Sequence, residues 1–116
     1  MTTVLIWLAM VFFLSVMPTE GGPKPFEGAD KAVHFVLYFI TCLLFYVELK
    51  KKQGYARSLV LAVLLSTLYG YAMEVAQSYT ATRTYSLADA FANLAGALSA
   101  AVFLHLVTRK ARAKAV

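Results

Sequence analysis

The chain has 116 residues, of which 60% are hydrophobic and 15% charged, with a net charge of +5 and a mean hydropathy of +0.67. Its length fits one domain, and its apolarity excludes an ordinary soluble domain in favour of the membrane class. The basic residues stand in short clusters beside apolar runs, as the flanks of membrane spans do, which argues against nucleic acid as a partner, and the single cysteine, Cys42, excludes an intrachain disulfide and a thiolate metal cluster.

The first apolar segment runs from Thr3 to Met17 and is stopped by Pro18. It falls short of the roughly 20 residues that cross a bilayer core of about 30 Å, a mismatch that local thinning or a buried position accommodates. No Lys or Arg precedes its apolar core and no clear small-x-small cleavage site follows, so it reads as a retained span rather than a signal peptide. The stretch P-T-E-G-G-P-K-P-F-E-G-A-D at 18–30 holds three prolines and three glycines and reads as a linker. A second span follows from Lys31 to about Leu49, a third from Arg57 or Ser58 to about Tyr79, and a fourth from Leu87 or Ala88 to about Val107. The expected fold is all-α: an integral membrane bundle of four transmembrane helices forming a single domain over 1–116.

The basic residues set the orientation. Lys50, Lys51, Lys52 and Arg57 join the second span to the third, and Arg109, Lys110, Arg112 and Lys114 follow the fourth, whereas the other two connections hold only Lys24, Lys31 and Arg83. The positive-inside rule then places both termini and the Lys50–Arg57 connection in the cytoplasm. Tyr79 and Tyr85 suit the outer interface, and Tyr46 and Tyr55 the inner one.

Against this apolar background the polar groups are unevenly placed. The second span opens D-K-A-V-H-F-V-L-Y, which puts Asp30, His34 and Tyr38 on one stripe at intervals of four. Asp30 is also a candidate cap for that helix. On the third span Gly70, Glu74 and Gln77 share a face. Glu74 lies about 8 Å inside the outer end of its helix, where a carboxylate must be protonated, paired or hydrated. The outer connection and fourth span read R-T-Y-S-L-A-D-A-F-A-N-L-A-G, with Ser86 a candidate N-cap and Asp89, Asn93 and Gly96 in a stripe. Ala92, Gly96 and Ala100 add a small-residue face beside it, which suggests that this helix takes the centre of the bundle.

All these groups fall in the outer half of the membrane. The predicted site therefore has His34, Glu74 and Asp89 as acid–base groups, with Asp30, Lys31, Tyr38, Gln77, Arg83, Ser86 and Asn93 as ligand-binding residues. His34, Glu74 and Asp89 are of types that zinc accepts, but no HExxH or Cys–His spacing accompanies them, and neither metal nor other cofactor is expected. Glu48 pairs in sequence with Lys51 and Lys52, His105 stands at the inner end beside Arg109, and Trp7 reads as a lipid-facing or packing group.

Three motifs taken together resemble the VanZ-like family of small bacterial membrane proteins, named for an accessory factor in teicoplanin resistance: D-K-x-x-H-F-x-x-Y at 30–38, G-x-x-x-E-x-x-Q at 70–77, and R-x-x-S-x-x-D-x-x-x-N-x-x-G at 83–96. The resemblance covers the chain from Pro18 to the end of the fourth span. It implies a multi-pass protein of the bacterial cytoplasmic membrane with a role at the cell envelope or in the glycopeptide response, and it supplies no reaction.

The residues themselves leave three functions to weigh. The first is an outward-facing site for an envelope lipid or cell-wall precursor, held by its polar or anionic head group against Arg83, Lys31 and the start of the fourth helix. The second is a structural or accessory protein whose polar network only orders the bundle and which acts through a partner. The third is a transporter, which would need a homo-oligomer for a path. It is disfavoured because inward of Tyr38 the second span offers only Thr41 and Cys42, and the third beyond Gly70 only Ser66 and Thr67.

Overall fold

Long apolar stretches hold their backbone hydrogen bonds within themselves, and helices are the element that does so without partners. The protein, seen in a computed structural model that describes residues 1–16, 29–79 and 87–115, with only the backbone of Asp30 and of residues 112–115, is accordingly helical. The described residues form α1 (Thr2–Val16), α2 (Ala29–Lys50), α3 (Tyr55–Ser78) and α4 (Leu87–Ala115). α2, α3 and α4 each carry a segment long and apolar enough to cross a membrane, Lys31–Lys50, Tyr55–Ser78 and Leu87–Ala111, whereas α1 is a shorter apolar helix. With 15 residues it reaches about 22 Å, short of a bilayer core.

The outward surface is apolar along every helix. Ile6 and Phe13 on α1, Val36 on α2, Leu68 on α3 and Phe91 and Val102 on α4 are all exposed. An apolar exterior of this extent suits a bundle placed in a membrane.

α2 and α3 form a tight antiparallel hairpin. The amides of Lys51 and Lys52 return to the carbonyls of Glu48 and Leu49, and Gln53 also reaches Leu49, before Gly54 leads into α3. These two helices make the centre of the bundle: each packs on all the others, whereas α1 and α4 do not meet. The sequence-based placement of α4 at the centre is therefore corrected. Its small face serves one close crossing. A Cβ built on Gly96 would stand 2.2 Å from the Phe35 carbonyl oxygen of α2, so the two backbones are in contact there.

α3 presents a matching stripe that the sequence reading noticed only at Gly70. Ser58, Ala62, Ser66 and Gly70 recur every four residues, all are buried, and the same face continues into Glu74 and Gln77. In the half of the bundle near the Lys51–Gly54 connection, this stripe closes over Cys42, Tyr46, Ala62, Ala97 and Ala100. Cys42 and Ser66 are both fully buried there. Tyr46, expected at a membrane interface, is instead 8% exposed and stacks edge-on against Tyr55.

α1 is fastened to the hairpin by polar contacts within an apolar region. Trp7 Nε1 donates to Thr41 Oγ1 at 2.8 Å, Thr41 in turn donates to the Leu37 carbonyl, and the Tyr69 hydroxyl donates to the Leu8 carbonyl. Trp7 thus packs, as expected, and also anchors. α1 runs antiparallel to α2, since its terminal amine lies 2.6 Å from Glu48 Oε1, itself paired with Lys51 at 3.0 Å.

Candidate functional site

The site lies at the end of the bundle opposite the Lys51–Gly54 connection, where α2 begins, α3 ends and α4 begins. One turn of α2 carries Lys31 and His34 toward α4, because a spacing of three keeps both on one face. On α4, Asp89 and Asn93 are four residues apart and meet them in that order. Lys31 Nζ lies 3.2 Å from Asp89 Oδ1, and His34 Nε2 lies 3.5 Å from Asp89 Oδ2. A turn deeper, His34 Nδ1 lies 2.9 Å from Asn93 Oδ1. α3 adds Glu74 from the third side, with Oε1 3.9 Å from His34 Nδ1.

Burial grades inward from the rim. The Lys31 side chain is 44% exposed, Asp89 and His34 are 15% and 13%, and Glu74 is 1%. The carboxylate that sequence reasoning singled out for its depth is thus fully enclosed and sits near an ionisable ring. Asn93 and Gln77 are also buried, Gln77 on the same face of α3 as Glu74.

Tyr38 forms the floor. It is 2% exposed, one turn of α2 below His34, and its hydroxyl has no hydrogen-bond partner among the described residues. Gly70 makes this arrangement possible. A Cβ there would stand 3.0 Å from Asn93 Nδ2 and 3.1 Å from the Tyr38 ring, so any larger residue displaces the side chains that floor the site. Past Tyr38 the described interior is the apolar cluster of the opposite half.

Of the residues predicted for the site, Lys31, His34, Glu74, Asp89 and Asn93 converge, Tyr38 borders them, and Gln77 is buried on a flanking turn. Arg83, Ser86 and the Asp30 side chain lie outside the described residues. The Asp30 backbone is helical within α2, and its reading as the cap depends on that undescribed side chain. At the opposite end His105 is bonded through Nδ1 to the Tyr55 hydroxyl at 2.8 Å, well away from His34.

Chemically the cluster combines one imidazole, two carboxylates, an amide and a rim ammonium. Asn93 Oδ1 only accepts, so His34 Nδ1–H donates a hydrogen bond to it and the other ring nitrogen faces Asp89. The ring is held in a defined orientation by one helix while a second carboxylate approaches from another. No protein-family model, curated protein or solved structure matches the chain.

Proposed function

We propose that the chain is a multi-pass protein of the bacterial cytoplasmic membrane. In this reading α1 is a short fourth span, both ends of the chain lie in the cytoplasm, and the cluster around His34 faces outward to bind an envelope molecule by its polar or anionic head group. The observation that carries the reading is the convergence of His34, Glu74 and Asp89 from three helices at one end of the bundle, graded from an exposed Lys31 to an enclosed Glu74. The distribution of Lys and Arg supports the orientation, since Lys51, Lys52 and the basic end of α4 stand at the other end. The three motifs that resemble the VanZ-like family support the envelope setting, and a part in glycopeptide response belongs to the same proposal.

In this reading Lys31 meets the head group at the rim, Arg83, which lies outside the described residues, adds a second cation, and His34 is the group to take up and return a proton, with Glu74 or Asp89 as its counterpart. The apolar half beneath Tyr38 closes the site on its inner side, which favours head-group recognition over transport through one protomer.

Lipid extraction from the purified protein tests the reading. Wild-type protein is expected to retain an envelope lipid or precursor that falls at least tenfold in Glu74→Gln and Arg83→Ala variants of unchanged melting temperature. Equal lipid in all three proteins would overturn it. A second reading, that the network only orders the bundle, draws on the buried His34–Asn93 bond. It requires His34→Ala and Asp89→Asn to lose stability and phenotype in proportion, and an abolished phenotype with unchanged melting would rule it out.

A further inference from the structure

The geometry points to a divalent metal site of the zinc class formed by His34 Nε2, Asp89 Oδ2 and a Glu74 carboxylate oxygen. These three residues each offer a ligand atom, and the atoms lie within 4.8 Å of one another. The ligands come from three different helices, which is why no spacing motif marks them in the sequence.

The His34–Asp89 pair sets the scale. Two ligand atoms each about 2.1 Å from a zinc ion at the tetrahedral angle stand about 3.4 Å apart. His34 Nε2 and Asp89 Oδ2 stand 3.5 Å apart, the separation of two atoms sharing one ion. Glu74 Oε1 lies 3.9 Å from the other ring nitrogen, Nδ1, so its carboxylate has to swing toward Nε2 to complete the set.

The neighbours favour a cation as well. A metal-ligating histidine donates its other N–H to an oxygen, which fixes the tautomer and aims the free lone pair at the ion. His34 does this through Nδ1 to Asn93 Oδ1 at 2.9 Å. With Nδ1 directed to Asn93, it is Nε2 that faces the Asp89 carboxylate. Asn93 is 2% exposed, and its Nδ2 has no hydrogen-bond partner among the described residues, so this buried side chain is oriented at the expense of one of its own groups. On the rim side Lys31 Nζ lies 3.2 Å from Asp89 Oδ1.

The donor set selects the metal. One imidazole nitrogen with carboxylate oxygens suits zinc, and manganese after it, better than the all-oxygen octahedra of magnesium. Three protein ligands leave a position open toward the rim, where His34 and Asp89 retain partial exposure. Two carboxylates balance the charge of the ion, so among the described residues the loaded site with Lys31 is net positive and suited to a phosphate or carboxylate oxygen. The site does not rest on the head-group reading, because the ion alone is its probe.

The test uses the full chain in nanodiscs, without a histidine tag, stripped with chelator and titrated with zinc against a chromophoric competitor. One zinc per chain is expected, with affinity at least tenfold weaker in His34→Gln and Asp89→Ala and unchanged in His105→Ala. Absence of stoichiometric binding to wild type would overturn the proposal, and so would binding that survives His34→Gln but is lost in His105→Ala. Cobalt loading of the wild type provides a measurement independent of any variant. A four- or five-coordinate visible spectrum is expected, and a spectrum identical to hydrated cobalt would overturn the site. Zinc binding by a wild-type protein that retains no envelope lipid would count against the head-group reading alone.

Discussion

The two halves of the bundle are built from the same three helices and the same close-packing device, yet they enclose different chemistry. Near the Lys51–Gly54 connection, α3 offers Ser58, Ala62 and Ser66 to α2 and α4, and the space is filled by Cys42, Tyr46, Ala97 and Ala100. At the other end the same face of α3 continues through Gly70 to Glu74 and Gln77, opposite His34, Asn93 and Asp89. The first half shows that these helices associate through small residues and van der Waals contact without a buried carboxylate or histidine among the described residues. Interhelical hydrogen bonds in membranes contribute on average only about 0.6 kcal/mol each. A buried carboxylate beside a histidine is therefore more than the packing of the first half uses, and it is this excess that the proposed ligand site accounts for.

The contrast is broken most severely where the two halves meet. At Gly96 an added methyl would be driven against the Phe35 carbonyl, and backbone cannot step aside as a side chain does. Gly96→Ala is expected to cost about 3 kcal/mol, at the upper end of overpacking effects, visible as a lower melting temperature and as loss of both zinc and lipid binding. Next comes a matched pair. Ala62→Leu forces volume into the closed apolar half, where Ala62 is fully buried, and should destabilise by about 2 kcal/mol. Gln77→Leu keeps a similar volume at the polar end and should change stability by less than about 1 kcal/mol. Equal losses in unfolding titrations would show that the polar end holds the bundle together and would dissolve the contrast.

A smaller effect is expected at Gly70, whose added methyl would meet the side chains of Asn93 and Tyr38 rather than backbone. Gly70→Ala should cost about 1 kcal/mol while displacing Asn93 from His34, so its mark falls on the site more than on the melt. The smallest is at the α1 anchor. Thr41→Val removes the acceptor of the Trp7 indole and should lower stability by about 0.6 kcal/mol. Trp7 is the only tryptophan, so its emission reports the change directly.

Much of this arrangement was legible before any coordinates, and the reasons differ by residue. The convergence of His34, Glu74, Asp89 and Asn93 could be foreseen because residues at intervals of four on a helix share a face, and rare polar groups in apolar helices turn to one another. The length of α4 was not. The apolar run ends near Val107, but the helix continues to Ala115 because alanine, lysine and arginine are strong helix formers, so hydropathy bounds the span and not the helix. The position of α4 was misjudged because a small-residue face declares a close crossing and not the number of neighbours. The anchoring of α1 rests on single side chains, Trp7 and Tyr69, and leaves no periodic signal.

The contact of Gly96 with the Phe35 carbonyl also has a mechanical side. Where two helices touch through side chains, the gap between them yields by rotamer changes. Where they touch through backbone, as α2 and α4 do one turn from the His34–Asn93 bond, nothing compressible separates them. The crossing works as a hard stop, and it fixes the spacing between the imidazole and the residues of α4. Lateral pressure from the surrounding lipid can tilt α1, which does not touch α4, without changing the gauge of the site.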